Sequence, residues 1–150
     1  MKIQPLDLTR TYPRSPREKL GGYVHLARML DKARAKAAGK VGEYIYPCPL
    51  DQALLEFTNI GPDAFYEAVQ KRDDLEFLAW LNENAKRRSP EEIESWNQMF
   101  LGRKPRNEAS LQRFLETRNR LAPRRTDITA WPDLLDLEEG REVPVRAADG

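Results

Sequence analysis

Cysteine and histidine are almost absent from this chain of 150 residues: Cys48 and His25 are the only examples. A single cysteine excludes an internal disulfide, and one cysteine with one histidine is too few for the usual zinc site. No metal and no cofactor is expected. The sequence also lacks any run of about 18 apolar residues, the length a membrane-crossing helix needs. Its opening stretch, MKIQPLDLTRTYPRSP, has neither the apolar region nor the small-residue cleavage site of a secretory signal. A cytoplasmic protein without membrane contact is the expectation. Phosphate-binding glycine loops, dinucleotide fingerprints, nucleophilic triads and calcium-loop spacings are missing too. These absences exclude the enzyme classes that announce themselves by motif.

What is present is charge, at 33% of residues, and enough hydrophobic content, at 40%, to fill the core of one ordinary domain. The net charge of +1 conceals alternating blocks. Residues 1–48 carry ten basic and four acidic side chains, residues 49–103 six and eleven, residues 104–125 seven and two, and residues 126–150 two and seven. Blocks of opposite sign can pair within one fold, which is the plainer reading; a basic face for nucleic acid is the sharper one.

Helix-start signals recur along the chain. Ser15-Pro16-Arg17-Glu18 and Ser89-Pro90-Glu91-Glu92 read as capping boxes with proline in the first turn. Pro49 and Pro62 stand where helices begin, Asp73 with Glu76 offers another box, and Asn107 precedes SLQRFLETRNRL. Six helices follow, over roughly 16–38, 49–58, 62–71, 74–86, 90–101 and 107–121. Their apolar faces read as Leu75, Leu78 and Leu81; Ile93, Trp96, Met99 and Phe100; and Leu111, Phe114, Leu115 and Leu121. The one extended piece is Glu43-Tyr44-Ile45-Tyr46, alternating with period two. The reading is an all-α single-domain bundle: an extended arm over residues 1–14, a helical domain over 15–140 and a loosely tied tail over 141–150, with acidic WPDLLDLEE docking as a helical fragment.

The helix containing YVHLARMLDKARAKA poses the main functional question. On a wheel of 100° per residue, Asp31 and Arg34 fall inside its apolar arc, whereas Lys32, Lys36 and Arg28 lie toward the outer face. A buried charge has to be paired. Asp31 and Arg34 are three apart and can meet, so the plain reading is an ion pair that tethers another segment, such as residues 44–48. The sharper reading is a polar pocket between this helix and YPCPLDQ, lined by His25, Arg28, Asp31, Arg34, Tyr44, Tyr46, Cys48 and Asp51. Cys48 precedes a helix start that favours a thiolate, but Asp51 opposes it, and a small buried thiol is the simpler role. His25, at the edge of the apolar arc, reads as packed rather than catalytic. Gly21-Gly22 falls within the expected first turns, where it would serve close packing. Arg118 interrupts the apolar face of its helix and is expected either to reach the acidic C-terminal block or, equally, to snorkel toward solvent.

The stretches PRSPREKLGGYVHLARMLDKARA, GEYIYPCPLDQALLEF, SPEEIESWNQMFL and RTDITAWPDLLDLEEGREVPVR together resemble a family of small bacterial proteins known as a domain of unknown function. The resemblance runs from about residue 13 to residue 146. It implies a bacterial source and a self-contained domain, and it brings no activity or catalytic residue. Three functional classes follow, in order. The first is a noncatalytic module that takes a small ligand or protein partner in the proposed pocket. The second is a small enzyme drawing on Arg28, Asp31, Arg34, Cys48 and Asp51. The third is a nucleic-acid binder using the basic segment 104–125, which has charge but only Phe114 for stacking. Oligomeric state leaves no mark in the sequence.

Overall fold

The structure, a computed structural model, describes residues 4–146. The outermost parts of the expected arm and tail, residues 1–3 and 147–150, lie outside the described residues. The described chain is mostly helical, with a small hairpin of β1 (Lys19–Leu20) and β2 (Tyr23–Val24). Its helices are α1 (Leu26–Ala37), α2 (Pro49–Thr58), α3 (Pro62–Gln70), α4 (Asp74–Asn84), α5 (Pro90–Leu101), α6 (Glu108–Leu121) and α7 (Trp131–Glu138). The chain divides into two compact units, residues 1–93 and 94–150, with the division falling inside α5.

The all-α reading holds, with seven helices among the described residues rather than six. The additional helix is α7, whose Pro132 stands in the first turn, where a missing N–H costs nothing. Four expectations need correction. The helix expected from residue 16 starts only at Leu26, because Gly21 and Gly22 both adopt positive φ, +59° and +88°. That pair makes the two-residue turn a tight hairpin requires and would have weakened a helix. Lys19 then faces Val24 and Leu20 faces Tyr23 in an antiparallel register. Ser15 starts a turn rather than a helix: its Oγ accepts the Arg17 N–H at 3.1 Å and its carbonyl accepts the Glu18 N–H at 3.1 Å.

The piece expected to be extended at 43–46 is not a strand: turns at 42–43 and 46–47 flank Tyr44 and Ile45, which belong to no element. Among the described residues no strand pairs with it; Tyr44 N–H bonds Val41 O, and the Tyr46–Pro47 peptide is cis. On α4, Leu75 is 78% exposed while Phe77 and Leu81 are buried. The inward face is Asp74, Phe77 and Leu81, spaced by three and four, and Leu75 points about 100° away from Asp74. Similarly, Met99 on α5 and Leu111 and Leu121 on α6 are exposed, leaving Trp96 and Phe100, and then Phe114, as the buried apolar residues.

In the first unit, α1 is the axis. Every residue from Leu26 to Ala35 is buried, including Arg28, Asp31, Lys32 and Arg34. A helix enclosed on all sides calls for apolar residues around its whole circumference. Ala33 and Ala35, 200° apart on the wheel, provide them on opposite sides. The aromatic part of this core runs from Tyr46 through Phe65 to Phe77, with ring centroids 5.8 Å and 5.0 Å apart. The second unit has its own small core of Phe114, Ile128, Leu134 and Val143. Its last described residues are pinned by Arg146, which grips Asp133 in a bidentate pair at 3.0 and 2.8 Å.

Candidate functional site

From Leu26 to Ala35 α1 has no solvated face, so the charges there must find partners on neighbouring segments, and most of those partners form two clusters. The first is built on Asp51, in the opening turn of α2. Pro49 pre-sets that turn, and Asp51 Oδ2 accepts the Cys48 backbone N–H at 2.9 Å, the reciprocal half of a capping box. The same oxygen takes Lys32 Nζ at 2.7 Å, and Oδ1 meets His25 Nε2 at 2.7 Å. Lys32 Nζ also lies 3.3 Å from Cys48 Sγ. His25 and Asp51 are wholly inaccessible and Lys32 is 3% exposed.

The electrostatics of this cluster follow from its closure. Burial alone would raise the Asp51 pKa, but the His25 hydrogen bond and the Lys32 ammonium overcome it and hold the carboxyl well below the usual range. Burial pushes His25 down from 6.5, and the Asp51 bond only partly opposes it. With Lys32 already balancing the carboxylate, His25 is neutral and donates its Nε2 proton. Burial, then the Asp51 charge, raises the Cys48 thiol above its ordinary 9.0. A neutral imidazole and a protonated thiol are thus locked around a shielded carboxylate. His25 itself sits at φ +70°, a left-handed conformation that few non-glycine residues adopt, at the N-terminal cap of α1. Its N–H bonds Pro16 O at 2.9 Å, so the strained residue is held by backbone and side chain together.

The second cluster ties α1 to the N-terminal arm and α4. Asp31 accepts Arg14 three times, from the backbone N–H at 2.8 Å, Nε at 3.1 Å and Nη2 at 3.1 Å. Arg14 Nη1 continues to Asp74 at 2.9 Å, and Arg34 Nη1 reaches the same carboxylate at 2.8 Å while its Nη2 bonds Arg72 O. The order is Asp31, Arg14, Asp74, Arg34: an alternating chain in which Arg14 and Asp74 each lie between two opposite charges. Burial works against ionisation of Asp74, but Arg14 and Arg34 lower its pKa nevertheless.

The sequence-selected residues are therefore divided. His25, Cys48 and Asp51 come together, while Asp31 and Arg34 each pair with another segment instead of with one another. Arg28 donates to Arg14 O at 3.3 Å and lies 5.6 Å above the Tyr44 ring. Tyr46 donates to Pro62 O at 2.9 Å, with Lys36 near its ring and bonded to its carbonyl. Lys32, Arg14 and Asp74 are the members that sequence reasoning missed. The wheel placed Lys32 outside because it assumed that α1 has an outside; the opposed Ala33 and Ala35 were the available signal. In the second unit, Arg118 turns to the carbonyls of Ile128 and Thr126.

Two hollows adjoin these clusters. A small one of about 230 Å³ lies beside Arg34, with Pro5, Ala37, Ala38 and Gln70. A larger open cleft of about 520 Å³ lies on the far side of the YPCPLDQ segment, between α2 and the start of α3. Pro47, Leu55, Ile60 and Pro62 give it apolar walls, and Gln52, Glu56 and Asn59 its polar groups. Among the described residues no group of three or more His, Cys, Asp or Glu side chains could hold a metal ion. No helix among them is long and apolar enough to cross a membrane.

Fold and site define a small helical protein whose first unit is organised around an enclosed, charge-tethered helix with a cleft beside its cis-proline loop. The chain belongs to the family described as Domain of unknown function (DUF5069), whose profile matches residues 10–141. No curated protein matches the sequence.

Proposed function

We propose that this protein is a noncatalytic binding module and that the α2–α3 cleft receives a small ligand. The observation carrying this reading is the contrast between the sealed polar cluster and the open cleft beside it. His25, Lys32 and Asp51 have the chemistry of a catalytic group but no solvent access, and both oxygens of Asp51 are taken by the other two. They act as a rigid wall: Asp51 fixes the first turn of α2, the helix that carries Gln52, Leu55 and Glu56 into the cleft. The cleft falls within the roughly 300–1,000 Å³ of small-molecule sites and mixes apolar walls with a few polar groups in their usual manner.

The test is a fragment screen on the ¹⁵N-labelled chain, read by amide chemical shifts. Fragments are expected to move the amides of Gln52, Leu55, Glu56, Asn59, Ile60 and Gly61 together, and Gln52→Trp, which places a ring in the cleft from an exposed position, to abolish the response. Fragments that bind only at other residues would overturn the reading.

A further inference from the structure

We infer that the cleft selects a cation: an alkylammonium or guanidinium head carried on an apolar stem. The inference rests on the binding reading above and adds the sign and shape of the ligand. Glu56 is the only ionisable side chain among the lining residues, and it is exposed. Gln52 stands one turn before it on the same face of α2, so its amide oxygen can accept from the same head group. No lysine or arginine lines the cleft. An anion would meet Glu56 unopposed.

The cleft also sits at the C-terminal end of α2. That helix closes at Thr58, followed by Asn59 in the left-handed conformation at φ +57°, and Asn59, Ile60 and Gly61 form the cleft edge. The C-terminus of a helix carries partial negative charge. Its last carbonyls already have partners: Glu56 O takes Asn59 N–H, Leu55 O takes Ile60 N–H and Thr58 O takes Lys86 N–H. The terminus therefore contributes field rather than new bonds. On another side the same terminus already holds a cation by a direct bond, where Arg88 donates to Phe57 O at 3.1 Å with its guanidinium 4.4 Å above the Phe57 ring. The two prolines, with the accessible edges of the otherwise buried Leu55 and Ile60, supply the surface for the stem.

The experiment titrates the labelled full chain with n-hexylammonium, 1-hexanol and hexanoate, three probes of one stem and different charge. Hexylammonium is expected to bind at Gln52, Glu56, Asn59, Ile60 and Gly61 about threefold more tightly than hexanol, the modest gain of a solvent-exposed ion pair, with hexanoate weakest. Glu56→Gln is expected to bring hexylammonium and hexanol level, and added salt to narrow the gap in the parent protein. A blocked tripeptide with a central lysine distinguishes the source. Tighter binding than hexylammonium assigns the cation to a partner's side chain, and weaker binding to a free amine. Equal binding of hexanoate, or an order unchanged by Glu56→Gln, would overturn charge selection while leaving the cleft as a binding site. Silence of these amides toward all three probes would remove the binding reading itself.

Discussion

Asp51 carries one negative charge and is met by three donors, from His25, Lys32 and the Cys48 backbone. Removing Lys32 alone leaves that charge buried without its counter-ion. Lys32→Met is expected to destabilise the protein by about 3–5 kcal/mol in urea unfolding, and Lys32→Met with Asp51→Leu by less than the sum of the single changes. Acid acts on the same cluster. Because the folded-state pKa of His25 lies below 6.5, its contribution to stability is complete above that pH and is lost as the pH falls below it toward the folded value. The loss approaches about 1.4 kcal/mol per pH unit. Asp51 adds a second loss below its ordinary 3.8, since its folded pKa is also depressed. His25→Asn tolerates the positive φ but does not titrate. It is expected to flatten the upper window and keep the lower, which equilibrium unfolding from pH 7 to pH 3 would reveal. The neighbouring charges facing His25 are Asp51, Lys32 and Arg28.

Elements rather than single residues decide where sequence reading succeeds. Local chemistry was enough for α2 and α3, whose prolines mark the first helical residue, and for α4 and α6, where Asp73 and Asn107 cap the helix by accepting the Glu76 and Ser110 N–H groups. It misread Ser15-Pro16-Arg17-Glu18, because the next six residues contain the glycine pair that turns the chain into a hairpin. The site was partly legible: His25, Cys48 and Asp51 were selected and do meet. Lys32 was not, because periodicity reports a polar face only for a helix that has one, and the partners of α1 lie as far as 40 residues away. The hairpin offers a direct measurement. Gly22 has open space where a side chain would go, whereas a Cβ on Gly21 would come within 2.4 Å of Leu78 Cδ2. Gly22→Ala is expected to cost about 1–2 kcal/mol for its backbone conformation alone. Gly21→Ala should cost more, with Leu78→Ala recovering part of the difference because that side-chain tip is the obstacle. On α4, Leu75→Lys should leave the melting temperature nearly unchanged, while Phe77→Ala lowers stability by about 3–5 kcal/mol.

At the scale of the whole molecule, each compact unit has its own means of closure. In the second, Val143 completes the core of Phe114, Ile128 and Leu134, and Arg146 reaches back to Asp133. Val143→Ala is expected to destabilise this unit by roughly 2 kcal/mol, with hydrogen exchange accelerating at Ile128 and Leu134. In the first unit the closure is electrostatic, and its order along the chain has a consequence during synthesis. Arg14 and Asp31 emerge from the ribosome well before Asp74, which lies 60 residues after Arg14. At about 5–20 residues per second, the charges of α1 stay in water for several seconds before their last counter-ion exists. The most deeply enclosed helix of the finished protein is therefore among the later parts of this unit to be shut away. A nascent chain paused just short of residue 74 should remain open to protease throughout α1, and a few dozen further codons, enough to bring α4 clear of the exit tunnel, should close it.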